Sequence, residues 1–196
     1  MPDSPLTVVL LSGGIDSITL AAATLAAGNL AACVHVIYGA PNGGLEYRCA
    51  SDWCRAHGVP LHTIEARIPC EMSGDPGDPC VVPGRNLVLL ALAASVAASV
   101  GASRVALGAT QDDQADYLDC RPYFAGAMTA ALECAGLNVE CVYPYAGISK
   151  GAVVEIARRH GVDLGATFSC YTPNGSDACG QCASCAERSR VLGEVA

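Results

Sequence analysis

The chain has 196 residues, which at about 150 residues per domain indicates one domain with room for a real core. Hydrophobic residues make up 52% and charged residues 15%, a composition that excludes intrinsic disorder. The formal net charge of −8 argues against gripping a nucleic-acid backbone, because such binding neutralises phosphates with Lys and Arg; it favours a small-molecule partner or a local basic site on an acidic body.

Twelve cysteines would read as a disulfide framework in a small secreted protein. The opening MPDSPLTVVLLSGG has no basic region and no cleavage-site pattern, and the longest apolar run, 87–100, is too short to span a bilayer comfortably. The expectation is a cytoplasmic protein, away from membranes, with mostly reduced thiols.

In chain order, strand-like and helix-like segments alternate. Residues 6–11 predict a strand that runs directly into two glycines, followed by a helix over 18–27. A strand over 32–38 leads to a helix over 45–57, and a strand over 61–64 leads to a Gly- and Pro-rich loop over 65–82. Then come a helix over 87–100, a strand over 104–107, a helix over 123–134, a strand over 138–142 and helices over 150–160 and 183–195. Alternation at this spacing predicts βαβ units, and strands that are apolar throughout predict a sheet covered on both faces. The expected fold is α/β, a doubly wound, mostly parallel, Rossmann-like sheet with helices on both faces. It forms a single domain over 1–196, with a C-terminal metal-binding segment over 169–196. Ligands of such sheets bind outside the carboxyl ends of the strands, so the residues just after each strand are the informative ones.

After the first strand stands Ser12-Gly13-Gly14-Ile15-Asp16-Ser17. Glycines let backbone N–H groups approach an anion, and a helix start adds unpaired donors and a favourable dipole. Ser12 and Ser17 offer hydroxyls; Asp16 can cap the helix or meet a magnesium ion. No lysine follows as the Walker pattern requires, so this is not an ordinary P-loop. Lys150, where the fifth strand gives way to the fifth helix, and Arg85, at the head of an apolar helix, are the natural cations for a phosphate or carboxylate. The plain alternatives are a solvated helix-start lysine and a capping or ion-pairing arginine. Cys120 reads as a packed cysteine, His35 as a core histidine.

Near the C-terminus, Cys170, Cys179, Cys182 and Cys185 follow the spacing C-x8-C-x2-C-x2-C in a polar loop. Four thiolates so close match a closed tetrahedral zinc site, one structural Zn2+ per chain. An iron–sulfur cluster is the main rival reading. The metal would replace a hydrophobic core for a tail with little of its own and would staple the last helix to the domain.

SGGIDS resembles the pyrophosphatase loop of the ATP-pyrophosphatase superfamily, whose members cleave ATP between the α- and β-phosphates. The joint pattern resembles the 7-cyano-7-deazaguanine synthase (QueC) family within it. It comprises SGGIDS, Val82-Pro83-Gly84-Arg85-Asn86, Gly108 leading to Asp113 and Tyr117, Asp119-Cys120-Arg121-Pro122, Ser149-Lys150, and SCY…CGxCxxC with Arg188. The resemblance implies a ligase that joins 7-carboxy-7-deazaguanine and ammonia. It would form the nitrile through adenylated carboxylate and amide intermediates, releasing AMP and pyrophosphate.

The resemblance also implies roles for individual residues. ATP with Mg2+ would be held by Leu11, Ser12, Gly13, Gly14, Ile15, Asp16, Ser17 and Ile18. Asp16, Lys150 and Arg85 would be catalytic. Arg85, Asn86, Asp113, Asp119 and Arg121 would bind the 7-deazaguanine substrate. Nucleic acid is not an expected partner, and analogy with such folds suggests a homodimer. After Tyr38-Gly39 the family carries Gln, a basic residue and His; here Ala40-Pro41-Asn42-Gly43-Gly44 stands instead. A relative that stops at 7-amido-7-deazaguanine or adenylates another carboxylate is the first alternative. A tRNA thiolation enzyme of the same superfamily is the second, and a zinc-ribbon interaction module on an inert body is the non-enzymatic one.

Overall fold

A computed structural model describes residues 4–68 and 81–193. Five strands form one parallel sheet: β1 (Thr7–Leu10), β2 (Leu30–Ile37), β3 (Leu61–Glu65), β4 (Arg104–Ala106) and β5 (Glu140–Val142). Their order across the sheet is β3-β2-β1-β4-β5. The chain therefore builds outward from β1 to β3, crosses back, and resumes on the other side of β1 with β4. This reversal between β1 and β4 opens a crevice at their carboxyl ends.

Alternate residues of β1 enter different cores, which is why the run is apolar without alternation. Val8 and Leu10 join Val34, Leu90, Ala94 and Leu132 on one face. Val9 joins Leu11, Ile18, Cys33, Ala50 and Val153 on the other. Helices α3 (Arg85–Ser99) and α4 (Pro122–Cys134) supply the first core, and α1 (Ile15–Ala26), α2 (Gly43–His57) and α5 (Lys150–Arg159) the second. The last helix, α6 (Ala183–Leu192), follows the cysteine segment.

Every predicted strand and helix that falls on described residues is present, with shifted ends. Helix α1 starts at Ile15 rather than 18, and α3 at Arg85 rather than 87. The first turn of a helix leaves its N–H groups free, so apolar periodicity begins only where packing does, one turn later. The shift matters because Asp16, Ser17, Arg85 and Asn86 stand on first helical turns rather than in loops. Most of the predicted loop 65–82 and the end of the predicted helix 183–195 lie outside the described residues. None of the described helices is long and apolar enough to cross a membrane.

Candidate active site and metal centre

The turn after β1 is held by its own serines. Ser17 Oγ accepts from the Ser12 N–H at 3.2 Å, lies 3.0 Å from Ser12 Oγ and donates to Gly14 O at 3.1 Å. Gly13 adopts φ 91°, and a Cβ there would lie 2.5 Å from the Glu46 carbonyl oxygen, so only glycine fits. Phe168 N–H donates to Gly13 O at 3.0 Å and anchors the C-terminal segment against the turn. Just past β4, a Cβ on Gly108 would lie 3.1 Å from the Asp16 carbonyl carbon. The chain segments leaving β1 and β4 thus meet at the switch point, with the donor-rich start of α1 between them.

Lys150 joins this point from the start of α5, which packs beside α1 on the same face of the sheet. Its Nζ is 2.5 Å from Glu187 Oε2, 3.4 Å from Asp16 Oδ2 and 3.6 Å from Asp113 Oδ1. Ser149 caps α5 by accepting from Ala152 N–H, and Asp112 accepts from the Lys150 N–H at 2.9 Å, which fixes the lysine backbone. Burial lowers the ammonium's pKa, but the Asp16, Asp113 and Glu187 carboxylates outweigh it and hold Lys150 charged. Burial raises Asp16 to about 6 against the pull of Lys150, and Asp16 Oδ1 is buried with no hydrogen-bond partner. Three carboxylates around one ammonium leave the corner with surplus negative charge, and an unpartnered carboxylate oxygen there suits a divalent cation.

Two adjoining clefts meet at the turn. The larger, of about 200 Å³, is walled by Leu11, Ser12, Gly14, Asp16, Ser17, Arg85, Asn86 and Asp113 together with Tyr38, Glu46 and Tyr171. The smaller, of about 120 Å³, adds Ile15, Lys150, Glu187 and Arg188. Arg85 is in hydrogen-bonding contact with Tyr38 and Tyr171. Glu46 accepts from Asn42 Nδ2 at 3.0 Å, and burial raises its carboxyl to about 7 although Arg85 opposes the shift.

Of the residues singled out in sequence, the structure brings Leu11, Ser12, Gly14, Ile15, Asp16, Ser17, Arg85, Asn86, Asp113 and Lys150 to the two clefts. Gly13 underlies the turn, and Ile18 packs in the core. Asp119 and Arg121 are not among the cleft walls. The Asp119 main-chain oxygen accepts from Tyr143 OH at 2.9 Å, and the exposed Arg121 donates to Gln114 O at 3.1 Å. Tyr38, which opens the departing loop, and Tyr171, within the SCY motif, also wall the clefts, whereas Glu46 and Glu187 carry no sequence signal beyond Glu187 standing two residues after Cys185.

The cysteines form a compact set. The Sγ atoms of Cys170, Cys179, Cys182 and Cys185 all lie within 4.8 Å of one another. Individual separations are 3.9 Å for Cys182–Cys170, 3.5 Å for Cys182–Cys185 and 3.9 Å for Cys179–Cys185. Sulfur Sγ of Cys179 accepts from Thr172 Oγ1 and from the N–H groups of Gln181 and Cys182, and these hydrogen bonds lower its thiol to about 6. This donor set fits a single thiolate-bound metal ion. The set fixes the start of α6, whose Arg188 donates to Thr167 Oγ1 at 2.8 Å and Leu164 O at 2.6 Å and whose Glu187 reaches Lys150.

The sequence profile of the family described as "Queuosine biosynthesis protein QueC" matches residues 6–196. The chain belongs to the QueC family. Its relatives include a 7-cyano-7-deazaguanine synthase of Marinobacter nauticus, 38% identical over 96% of this chain and 91% of the relative. Another, of Agrobacterium fabrum, is 36% identical over 93% of this chain and 85% of the relative. Among solved structures, NMN synthetase from Francisella tularensis matches with TM-score 0.53 at 14% identity, covering 100% of this chain and 79% of that one. The U34-tRNA thiolase NcsA from Methanococcus maripaludis, with its [4Fe-4S] cluster, matches with TM-score 0.51 at 19% identity, covering 96% of this chain and 63% of that one. Both likenesses are of fold. In this QueC chain the stretch 40–44 after Tyr38 runs into α2. There it buries Asn42 completely and places Glu46 beside the SGGIDS turn.

Proposed function

We propose that the chain is an ATP-dependent ligase that converts 7-carboxy-7-deazaguanine and ammonia to 7-cyano-7-deazaguanine, releasing AMP and pyrophosphate. One observation carries this reading: the SGGIDS turn, braced by Lys150 through Asp16, opens at the switch point of the sheet in a chain of the QueC family. A carboxylate is a poor electrophile, and adenylation gives it a good leaving group. Stabilising the charge that develops on phosphate is the work of fixed N–H donors and cations. The first turn of α1 supplies the donors, and Lys150 supplies a cation that can exchange its carboxylate partners for phosphate oxygens.

Arg85 is the second cation. Its contacts with Tyr38 and Tyr171 hold the guanidinium at the wall of the larger cleft, suited to the substrate carboxylate, with Asn86 and Asp113 beside it. Asp16, through its unpartnered Oδ1, and Asp113 would hold Mg2+, which neutralises phosphate charge when bound. In the cysteine set, sulfurs about 2.3 Å from one tetrahedral zinc would lie about 3.8 Å apart, and the four Sγ atoms, all within 4.8 Å of one another with three separations of 3.5–3.9 Å, are close enough to converge on one such ion. We assign the set to a structural zinc. Four thiolates would fill the coordination of such an ion, whose part would be to hold the segment before α6 in place.

The test is stoichiometry. Two adenylations per nitrile require two AMP and two pyrophosphate per product, and no pyrophosphate without the 7-deazaguanine carboxylate. Pyrophosphate release that ignores this substrate would overturn the reading.

A further inference from the structure

The proposed conversion removes three protons from one nitrogen. First, ammonia bonds to the acyl carbon, the C–O bond to AMP breaks, AMP leaves with the electron pair, and the nitrogen sheds one proton to give the amide. Next, the amide oxygen bonds to the α-phosphorus of a second ATP, pyrophosphate leaves with the electrons of the broken P–O bond, and the nitrogen sheds a second proton. Finally, the last N–H proton departs, its electron pair completes the C≡N bond, the C–O bond breaks and AMP leaves. The initial adenylation, by contrast, uses a carboxylate that carries no proton. A base is therefore needed after the first adenylation and not during it, where the phosphate region meets the substrate region.

Two carboxylates, Asp16 and Glu46, wall both clefts. Asp16 is taken up by Lys150 at 3.4 Å. Glu46 faces the side chains of Arg85, Tyr38, Tyr171 and Cys49 and, among the described residues, accepts a hydrogen bond from Asn42 Nδ2. Asn42 is fully buried and its Oδ1 has no partner, so a turned amide could accept a proton-bearing Glu46 as readily as the present one donates to the carboxylate.

We propose that Glu46 is the general base that receives these N–H protons. This assignment rests on the ligase reading above. Burial raises its carboxyl to about 7, close to where a base is both ionised and strong enough at neutral pH. The neighbouring groups keep their charge there: Arg85 stays protonated, Tyr38 is pushed up to about 12, and burial raises Tyr171 and Cys49.

The experiment compares wild type, Glu46→Gln and Glu46→Asp. Each is mixed with ATP, Mg2+ and 7-carboxy-7-deazaguanine without ammonium to read the first pyrophosphate burst, then with ammonium to read nitrile. Glu46→Gln should keep the burst and lose nitrile formation by about 10²–10⁴-fold. Glu46→Asp should recover part of the rate with a displaced pH profile. A burst-competent Gln variant that forms nitrile within about threefold of wild type overturns the assignment. So does loss of the burst in a Gln variant that retains its metal, which would make Glu46 a binding residue. If the Gln variant does not fold, the Asp variant decides, since a profile coincident with wild type overturns the role. A wild type with no burst removes the ligase reading itself.

Discussion

Nζ of Lys150 lies 3.4 Å from Oδ2 of Asp16, tying the first residue of α5 to the first turn of α1 across the carboxyl ends of the central strands. The two residues are distant in sequence and meet because β5 and β1 flank β4 in one sheet. Breaking the pair by Asp16→Asn or Lys150→Ala should lower substrate-dependent pyrophosphate release by at least about 10²-fold, as expected for losing a charge that stabilises the transition state. Metal content should stay at the wild-type level, because neither residue touches the cysteines. Full activity in both variants would place the phosphate site elsewhere.

Gly13→Ala sets conformational strain against contact. The new Cβ would sit 2.5 Å from the Glu46 carbonyl oxygen at φ 91°, so α2 or the turn must move. Gly28 also has positive φ, but nothing lies within 4 Å of an added Cβ. Gly28→Ala should therefore cost only the left-handed backbone penalty, about 1–2 kcal/mol. Gly13→Ala should cost more and abolish activity. Thermal unfolding of the two variants, measured side by side, checks the ranking.

Removing one thiolate separates scaffold from chemistry. Cys182→Ser should lose the bound metal, measured by elemental analysis, and several kcal/mol of stability. Because the cysteine set fixes α6 and α6 carries Glu187 to Lys150, activity should fall with the metal. A metal-free, stable and active variant would contradict the structural role.

The two raised carboxyls give stability a pH dependence. Asp16 at about 6 and Glu46 at about 7 bind protons more tightly folded than unfolded, where such groups titrate near 4. Their stabilisation is therefore complete only below about 4 and is lost as pH rises from there through 6 to 7. With the cysteines held by their metal and no other ligand bound, the melting temperature should climb by several degrees as pH falls from about 8 to about 5. The double variant Asp16→Asn, Glu46→Gln should flatten that slope.

Much of this was legible in the sequence because the decisive signals are local. The continuous apolar run before SGGIDS marks a strand covered on both faces, and the C-x2-C spacing sets the thiolates close together. Glu46 and Glu187 were not legible. Each is an ordinary acidic residue on a helix, and only the packing of α2 and α6 against the turn turns it toward the clefts. Asp119 and Arg121 rest on the motif alone: they flank Cys120 at the wall of the larger cleft, and the short turn over Leu118–Cys120 sets Arg121 Nε on Gln114 O. Motif membership fixes position along the chain, while the last few ångströms depend on a turn whose geometry is set by its neighbours.

The most direct test is mass spectrometry of the products formed from ATP, Mg2+, ammonium and 7-carboxy-7-deazaguanine by the purified protein. The account predicts the nitrile, 7-cyano-7-deazaguanine, accompanied by AMP and pyrophosphate. Accumulation of the amide, or recovery of the carboxylate unchanged, would contradict it.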